Sequence, residues 1–106
     1  MFSIIRNLFK SRPSVDFSDL IARGALVIDV RSKAEYKGGH FAQSVNYPLN
    51  ELPSNIGRLD RSRPIITVCA SGMRSATAMK LLLDNGFKEV YNAGGWNTLE
   101  RMIRRS

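Results

Sequence analysis

The sequence holds a single cysteine and a single histidine. One cysteine cannot close an intrachain disulfide, and one Cys with one His falls short of the four ligands of a structural zinc site, so no metal is expected. No apolar run approaches the roughly 18 residues that a membrane-spanning helix needs, so no transmembrane segment is expected. Acidic residues are few, 9 against 16 Lys and Arg, which leaves a net charge of +7 over 106 residues. Those basic residues do not interleave with aromatics as a base-stacking platform would, so charge alone does not argue for a nucleic acid partner. The G-x-G-x-x-G spacing of a dinucleotide site is missing around Gly94-Gly95, and no other cofactor motif is present. What is there is ordinary for one small globular domain, 43% hydrophobic and 24% charged. Its lone thiol, Cys69, is then either a buried hydrophobe or a reactive group.

The first residues, MFSIIRNLFKSR, place Arg6 and Lys10 inside the apolar stretch, which interrupts any export-signal core. The expected location is therefore cytoplasmic. Phe2, Ile5, Leu8 and Phe9 suit one face of a short basic amphipathic helix that docks on the domain or on a second chain, with a weak interfacial anchor as the alternative. Residues 1–14 are read as an N-terminal extension and 15–106 as the domain, a monomer or weak homodimer.

Two kinds of segment alternate after Arg12-Pro13-Ser14. Ser18 is the expected N-cap of a helix to Arg23 that Gly24 terminates. Ala25 to Val30 and Pro64 to Val68 are continuous apolar, β-branched runs, the pattern of strands buried on both faces. Ser32 is positioned to cap a helix over 33–37, and Asn50 one over 51–57. Val45-Asn46-Tyr47 and Glu89-Val90-Tyr91 read as brief strands, the latter ended by a break at Asn92-Ala93-Gly94-Gly95. Ala76, Met79, Leu82 and Leu83 share a helical face between Arg74 and Asn85, and a last helix runs through Trp96, Leu99, Met102 and Ile103. This alternation predicts an α/β fold, a small mostly parallel sheet with helices on both faces.

Cys69 falls between the second buried strand and the long helix, where open α/β sheets bind ligands. The loop Cys69-Ala70-Ser71-Gly72-Met73-Arg74-Ser75 is built of small residues with a glycine. Such a loop can curl its N–H groups inward as an anion-binding nest, aided by the helix N-terminus. A thiolate there is stabilised, and its pKa falls below the usual value of about 8.5. Arg74 adds a charge, or a planar fork that holds a donor or a loop carbonyl. His40 is a candidate base for a cysteine hydrolase, and Trp96 lines either the pocket mouth or the core.

These residues resemble the single-domain rhodaneses, thiosulfate sulfurtransferase-like proteins. The resemblance runs from about Val15 to Leu99. It rests on Val27-Ile28-Asp29-Val30-Arg31 with Glu35-Tyr36 and Gly39-His40-Phe41, on Cys69-x-x-Gly72-x-Arg74-Ser75, and on Tyr91-Asn92-Ala93-Gly94-Gly95-Trp96. The last stretch is similar to the phage-shock-protein-type rhodaneses, which are typically exported. The resemblance implies a rhodanese-like fold with Cys69 as nucleophile. Ala70, Ser71, Gly72, Met73, Arg74 and Ser75 would bind substrate, and Asp29 with Arg31 would brace the active loop from beneath. His40, in the family's Gly-His position, would be structural. The implied reaction passes sulfur from thiosulfate or a related small anionic donor to cyanide or a thiol, a protein thiol included, through a Cys69 persulfide. Two other readings are a non-catalytic binding module and a cysteine phosphatase or arsenate reductase-type enzyme. Phosphatase loops place one more residue between Cys and Arg than the four found here, making a wider bowl.

Overall fold

The computed structural model describes residues 15–105; the N-terminal extension expected at 1–14 lies outside them. Helix α1 (Phe17–Ala22) leads into strand β1 (Leu26–Asp29), followed by α2 (Lys33–Lys37) and β2 (Ser44–Asn46). Helix α3 (Leu52–Asn55) runs on into a 3-10 turn at Ile56–Arg58. Strand β3 (Ile65–Cys69), the long helix α4 (Met73–Asp84), β4 (Val90–Gly95) and α5 (Trp96–Arg105) complete the described chain. The four strands form one sheet in the order β2-β1-β3-β4, every neighbouring pair parallel. This is the α/β architecture that the alternation predicts.

The two central strands read as unbroken apolar runs because both faces of the sheet are covered. Successive side chains on β3 point to opposite faces. Ile65 and Cys69 join a cluster with Ile28, Val30, Ala78 and Leu82, while Ile66 and Val68 join Val27, Leu20, Phe41 and Leu99 on the other side. That parity aims Cys69 at α4 rather than at α5. Fully burying a Leu or Ile contributes about 1.5–3 kcal/mol, so the two clusters fix the sheet and thereby the place of the sulfur.

Local chemistry shifts several expected boundaries. The α1 cap is Asp16, whose carboxylate accepts the Asp19 N–H at 3.0 Å; the helix starts one residue ahead of Ser18, which lies in its first turn. Asn50 does not cap α3. That helix starts at Leu52 behind Glu51, with Pro53 in its first turn and no side-chain cap bond, and it passes into the 3-10 turn through Gly57. Ser32 does cap α2, in a reciprocal box with Glu35. Cys69 is the last residue of β3 rather than the first beyond it. The expected break after Tyr91 is a continuation of β4: Asn92 pairs with Thr67 and Gly94 with Val68, so Ala93 is an extra residue in the ladder.

Candidate active site

The site forms at the carboxyl end of β3, where α4 begins. Cys69 is 1% exposed, and its sulfur is met by donors from the loop that folds over it. The Gly72 N–H donates to Sγ at 2.9 Å, and the Ser75 hydroxyl lies 3.3 Å from it. Gly72 holds φ at +110°, a left-handed conformation that side chains resist. On the far side Gly95 lets the loop approach β4, since a Cβ there would come within 2.9 Å of the Ala70 carbonyl oxygen.

Burial pushes the Cys69 thiol up, and hydrogen bonds outweigh it: the Ser75 hydroxyl first, then the N–H groups of Ser75, Gly72 and Ser71. The thiol lies below its ordinary value as a result. The sulfur also sits at the N-terminus of the 12-residue α4, where the helix dipole favours negative charge. Backbone and one hydroxyl thus do the work, as a nest of small residues can.

Asn92 is the residue that sequence reasoning missed. Its Oδ1 accepts from the Ser75 hydroxyl at 2.6 Å and from the Gly94 N–H at 2.9 Å, and its Nδ2 donates to the Gly72 carbonyl at 3.2 Å. One side chain therefore ties β4 to both donors that meet the sulfur. Ser75 has one hydroxyl proton and two acceptors in reach, Asn92 Oδ1 and an ionised Cys69. With the thiol protonated that proton serves Asn92; with the sulfur ionised it can turn to the thiolate. Thr67, paired directly with Asn92 across the β3–β4 ladder, donates to the Ser75 carbonyl at 2.8 Å and fixes the first turn of α4.

Arg74 differs from expectation. Its fork holds no loop carbonyl among the described contacts; it closes bidentately on Glu35, Nη1 to Oε1 at 2.7 Å and Nη2 to Oε2 at 3.0 Å. Arg74 brings Glu35 down to about 2, with the N–H and hydroxyl of Ser32 adding to the effect. The same bonds raise Arg74 above its ordinary value. Met73, beside it, is 81% exposed at the rim.

Asp29 and Arg31 form a buried ion pair, Nη2 to Oδ2 at 2.7 Å. Arg31 spends its other donors on the carbonyls of Glu35 and Gly39, and Asn46 clamps the carbonyls of Asp29 and Arg31. The pair therefore braces residues 35–39 directly, and reaches the cysteine loop only at one remove, through Glu35 and Arg74. Trp96 is half-buried and packs against the second cluster, with the Arg31 guanidinium 5.1 Å from its ring centroid. His40 stacks on Tyr36 at 3.7 Å and binds the Tyr36 carbonyl through Nδ1. The sulfur's hydrogen-bond partners are Gly72 and Ser75, and the contacts of His40 are to Tyr36.

Among the described residues no helix is long and apolar enough to cross a membrane. Comparison with known proteins agrees with the geometry. Residues 14–101 match the family model of the rhodanese-like domain. The chain is 30% identical over 87 residues to the thiosulfate sulfurtransferase GlpE of Pseudomonas savastanoi pv. phaseolicola, covering 82% of each chain. It is 36% identical over 73 residues to the uncharacterized protein YqhL of Bacillus subtilis, covering 69% of this chain and spanning 58% of that protein. A solved rhodanese with anions from E. coli superposes with a TM-score of 0.66 at 30% identity, covering 71% of this chain and 91% of that one. With its sheet order, its cysteine loop and these matches taken together, the chain belongs to the rhodanese-like domain family.

Proposed function

We propose that the protein transfers sulfane sulfur, with Cys69 as the nucleophile and carrier. The observation that carries this reading is a buried thiol on which amide and hydroxyl donors converge at the sulfur itself. The Cys69 thiolate attacks the outer sulfur of thiosulfate; the S–S bond breaks, its electron pair leaves with sulfite, and Cys69 keeps the sulfur as a persulfide anion. That terminal sulfur would take over the donors that now meet Sγ, so no separate base is needed. Cyanide or a thiol, including one on a protein, then attacks the outer sulfur and restores the thiolate. The net charge of +7 favours encounter with anionic donors. Ala70, Ser71, Gly72 and Ser75 supply the cradle, Met73 and Arg74 the rim.

Two observations weigh against the other readings. A binding module has no use for a thiol held below its ordinary value, and a phosphatase needs its arginine free to grip phosphate, whereas this one is engaged by Glu35. Intact mass measurement after thiosulfate treatment tests the proposal. One added sulfur atom is expected, removed by cyanide and absent from Cys69→Ala, which should keep the parent's thermal unfolding profile to within a few degrees. A folded parent that gains no sulfur from thiosulfate or from an organic persulfide would overturn it.

A further inference from the structure

Arg74 and Glu35 occupy the site's entrance together, with side chains 39% and 38% exposed. The carboxylate is ionised at any working pH, and its Oε1 also accepts the Ser32 N–H and hydroxyl. The only full cation in the cysteine loop is therefore already paired with an anion that three groups hold in place. A small dianion arriving at the sulfur meets this carboxylate as well as the guanidinium, and must displace it to gain the fork.

Beside this pair lies a cavity of about 390 Å³, lined by Val30, Ser32, Pro48, Leu49, Asn50 and Arg74. Its place in the fold puts it next to the nucleophile. Asp29 pairs with Val68, and the Val30 N–H donates to the Val68 carbonyl, so Val30, the residue just past β1, lies alongside Cys69 at the end of β3; Val30 and Cys69 share one core cluster. The walls are largely aliphatic, with the cation at one side and two small polar side chains, the lining that suits an organic group rather than an inorganic ion.

We propose that Glu35 is a specificity-determining residue which, by occupying the fork of Arg74, turns the site from inorganic dianions toward organic persulfides whose carrier lies in the cavity of Val30, Pro48 and Leu49. The inference rests on the sulfur-transfer reading and names the donor class of that same site. In the favoured step the Cys69 thiolate attacks the terminal sulfur of R–S–SH. The S–S bond breaks, its electron pair stays on the carrier sulfur, which leaves as R–S⁻, and the proton remains on the new Cys69 persulfide. No oxidant or reductant is consumed. An organic persulfide carries its other charges away from the reacting sulfur, whereas thiosulfate brings its negative oxygens to the entrance.

Glu35→Gln tests this with little risk to the fold, because Gln keeps the capping box of α2 and can still accept one bond from Arg74. The readout is the rate at which Cys69 gains one sulfur, followed by intact mass with two probes, thiosulfate and glutathione persulfide. Glu35→Gln is expected to load from thiosulfate about tenfold faster, equivalent to about 1.4 kcal/mol, and from glutathione persulfide within twofold of the parent. Asn50→Trp, which narrows the cavity from its exposed edge, is expected to slow glutathione persulfide at least fivefold and to leave thiosulfate within twofold. An unchanged ratio of the two donors in Glu35→Gln, or slower thiosulfate loading, overturns the role of Glu35 while leaving sulfur transfer intact. Equal slowing of both donors in Asn50→Trp overturns the carrier subsite. Failure of both probes to load the parent overturns the sulfur-transfer reading, and this inference with it.

Discussion

The ends of β1 and β3 lie side by side in the sheet, and each buries a polar group that water would otherwise hold. At β1 the group is Asp29, 0% exposed, and Arg31 answers it with its Nε and Nη2 donors and its own N–H. At β3 it is the Cys69 thiol, answered by one N–H and one hydroxyl whose proton has two claimants. The first end is closed: acceptor, donor and remaining lone pairs are matched, and the ion pair has no chemistry left to offer. The second holds donors in excess of what a neutral thiol needs. Such an excess stabilises the sulfur more once it is negative, and this is what makes a buried cysteine a nucleophile. Burial alone distinguishes nothing here; the balance of donors against acceptors does.

The strongest way to break the comparison is to leave the closed end half-matched. Asp29→Asn removes the charge that Arg31 answers, in a place from which water is excluded. A cost of about 3–5 kcal/mol in unfolding free energy is expected from denaturant titration, as for other buried pairs deprived of one partner. A loss under about 1 kcal/mol would mean that the carbonyls of Glu35 and Gly39 and the Trp96 ring suffice for Arg31.

At the open end Ser75→Ala removes the hydroxyl that favours the ionised sulfur. A hydrogen bond to a charged group contributes about 1.5–3 kcal/mol, and one pKa unit is about 1.4 kcal/mol. The pH at which Cys69 becomes half-alkylated should then rise by about 1–2 units. The sign follows from linkage: a thiol whose folded pKa lies below its unfolded value adds stability above the unfolded pKa, and loses it as pH falls through the folded one. Parent loading should accordingly level off at lower pH than Ser75→Ala loading. Coincident profiles would assign the lowered thiol to the backbone alone.

The smallest effect belongs to the loop's shape. Gly72→Val forces a β-branched residue into φ of +110°, at about 1–2 kcal/mol for a left-handed L-residue. Sulfur loading should fall more steeply than stability, because the strained residue carries the N–H that meets Sγ. Normal loading with lowered stability would show that the amide is not needed at the sulfur.

Where groups act on near neighbours in the chain, the residues themselves are readable. Ala25 to Val30 and Pro64 to Val68 announce doubly covered strands through β-branched runs, and Ser32 announces a capped helix. The small residues after Cys69 announce a curled loop. Boundaries moved where two caps competed, as Asp16 did with Ser18, and where a glycine pair read as a break continued a strand with one extra residue. The roles of Asn92 and Glu35 had no such signal. Asn92 bonds Ser75 across 17 residues and Glu35 bonds Arg74 across 39, and neither partner marks the other in the sequence.

Composition and short-range pattern thus determined the class of fold, the position of the proposed nucleophile and the donors its own loop supplies, because hydrophobic periodicity and loop chemistry act over a few residues. Tertiary structure decided how those donors are shared and what the arginine at the rim is free to do. Parallel pairing brings β4 and β1 to the two sides of β3, and only that closure sets Asn92 on Ser75 and Glu35 on Arg74. Hydrogen bonds and ion pairs between distant segments depend on sub-ångström placement that no local preference encodes.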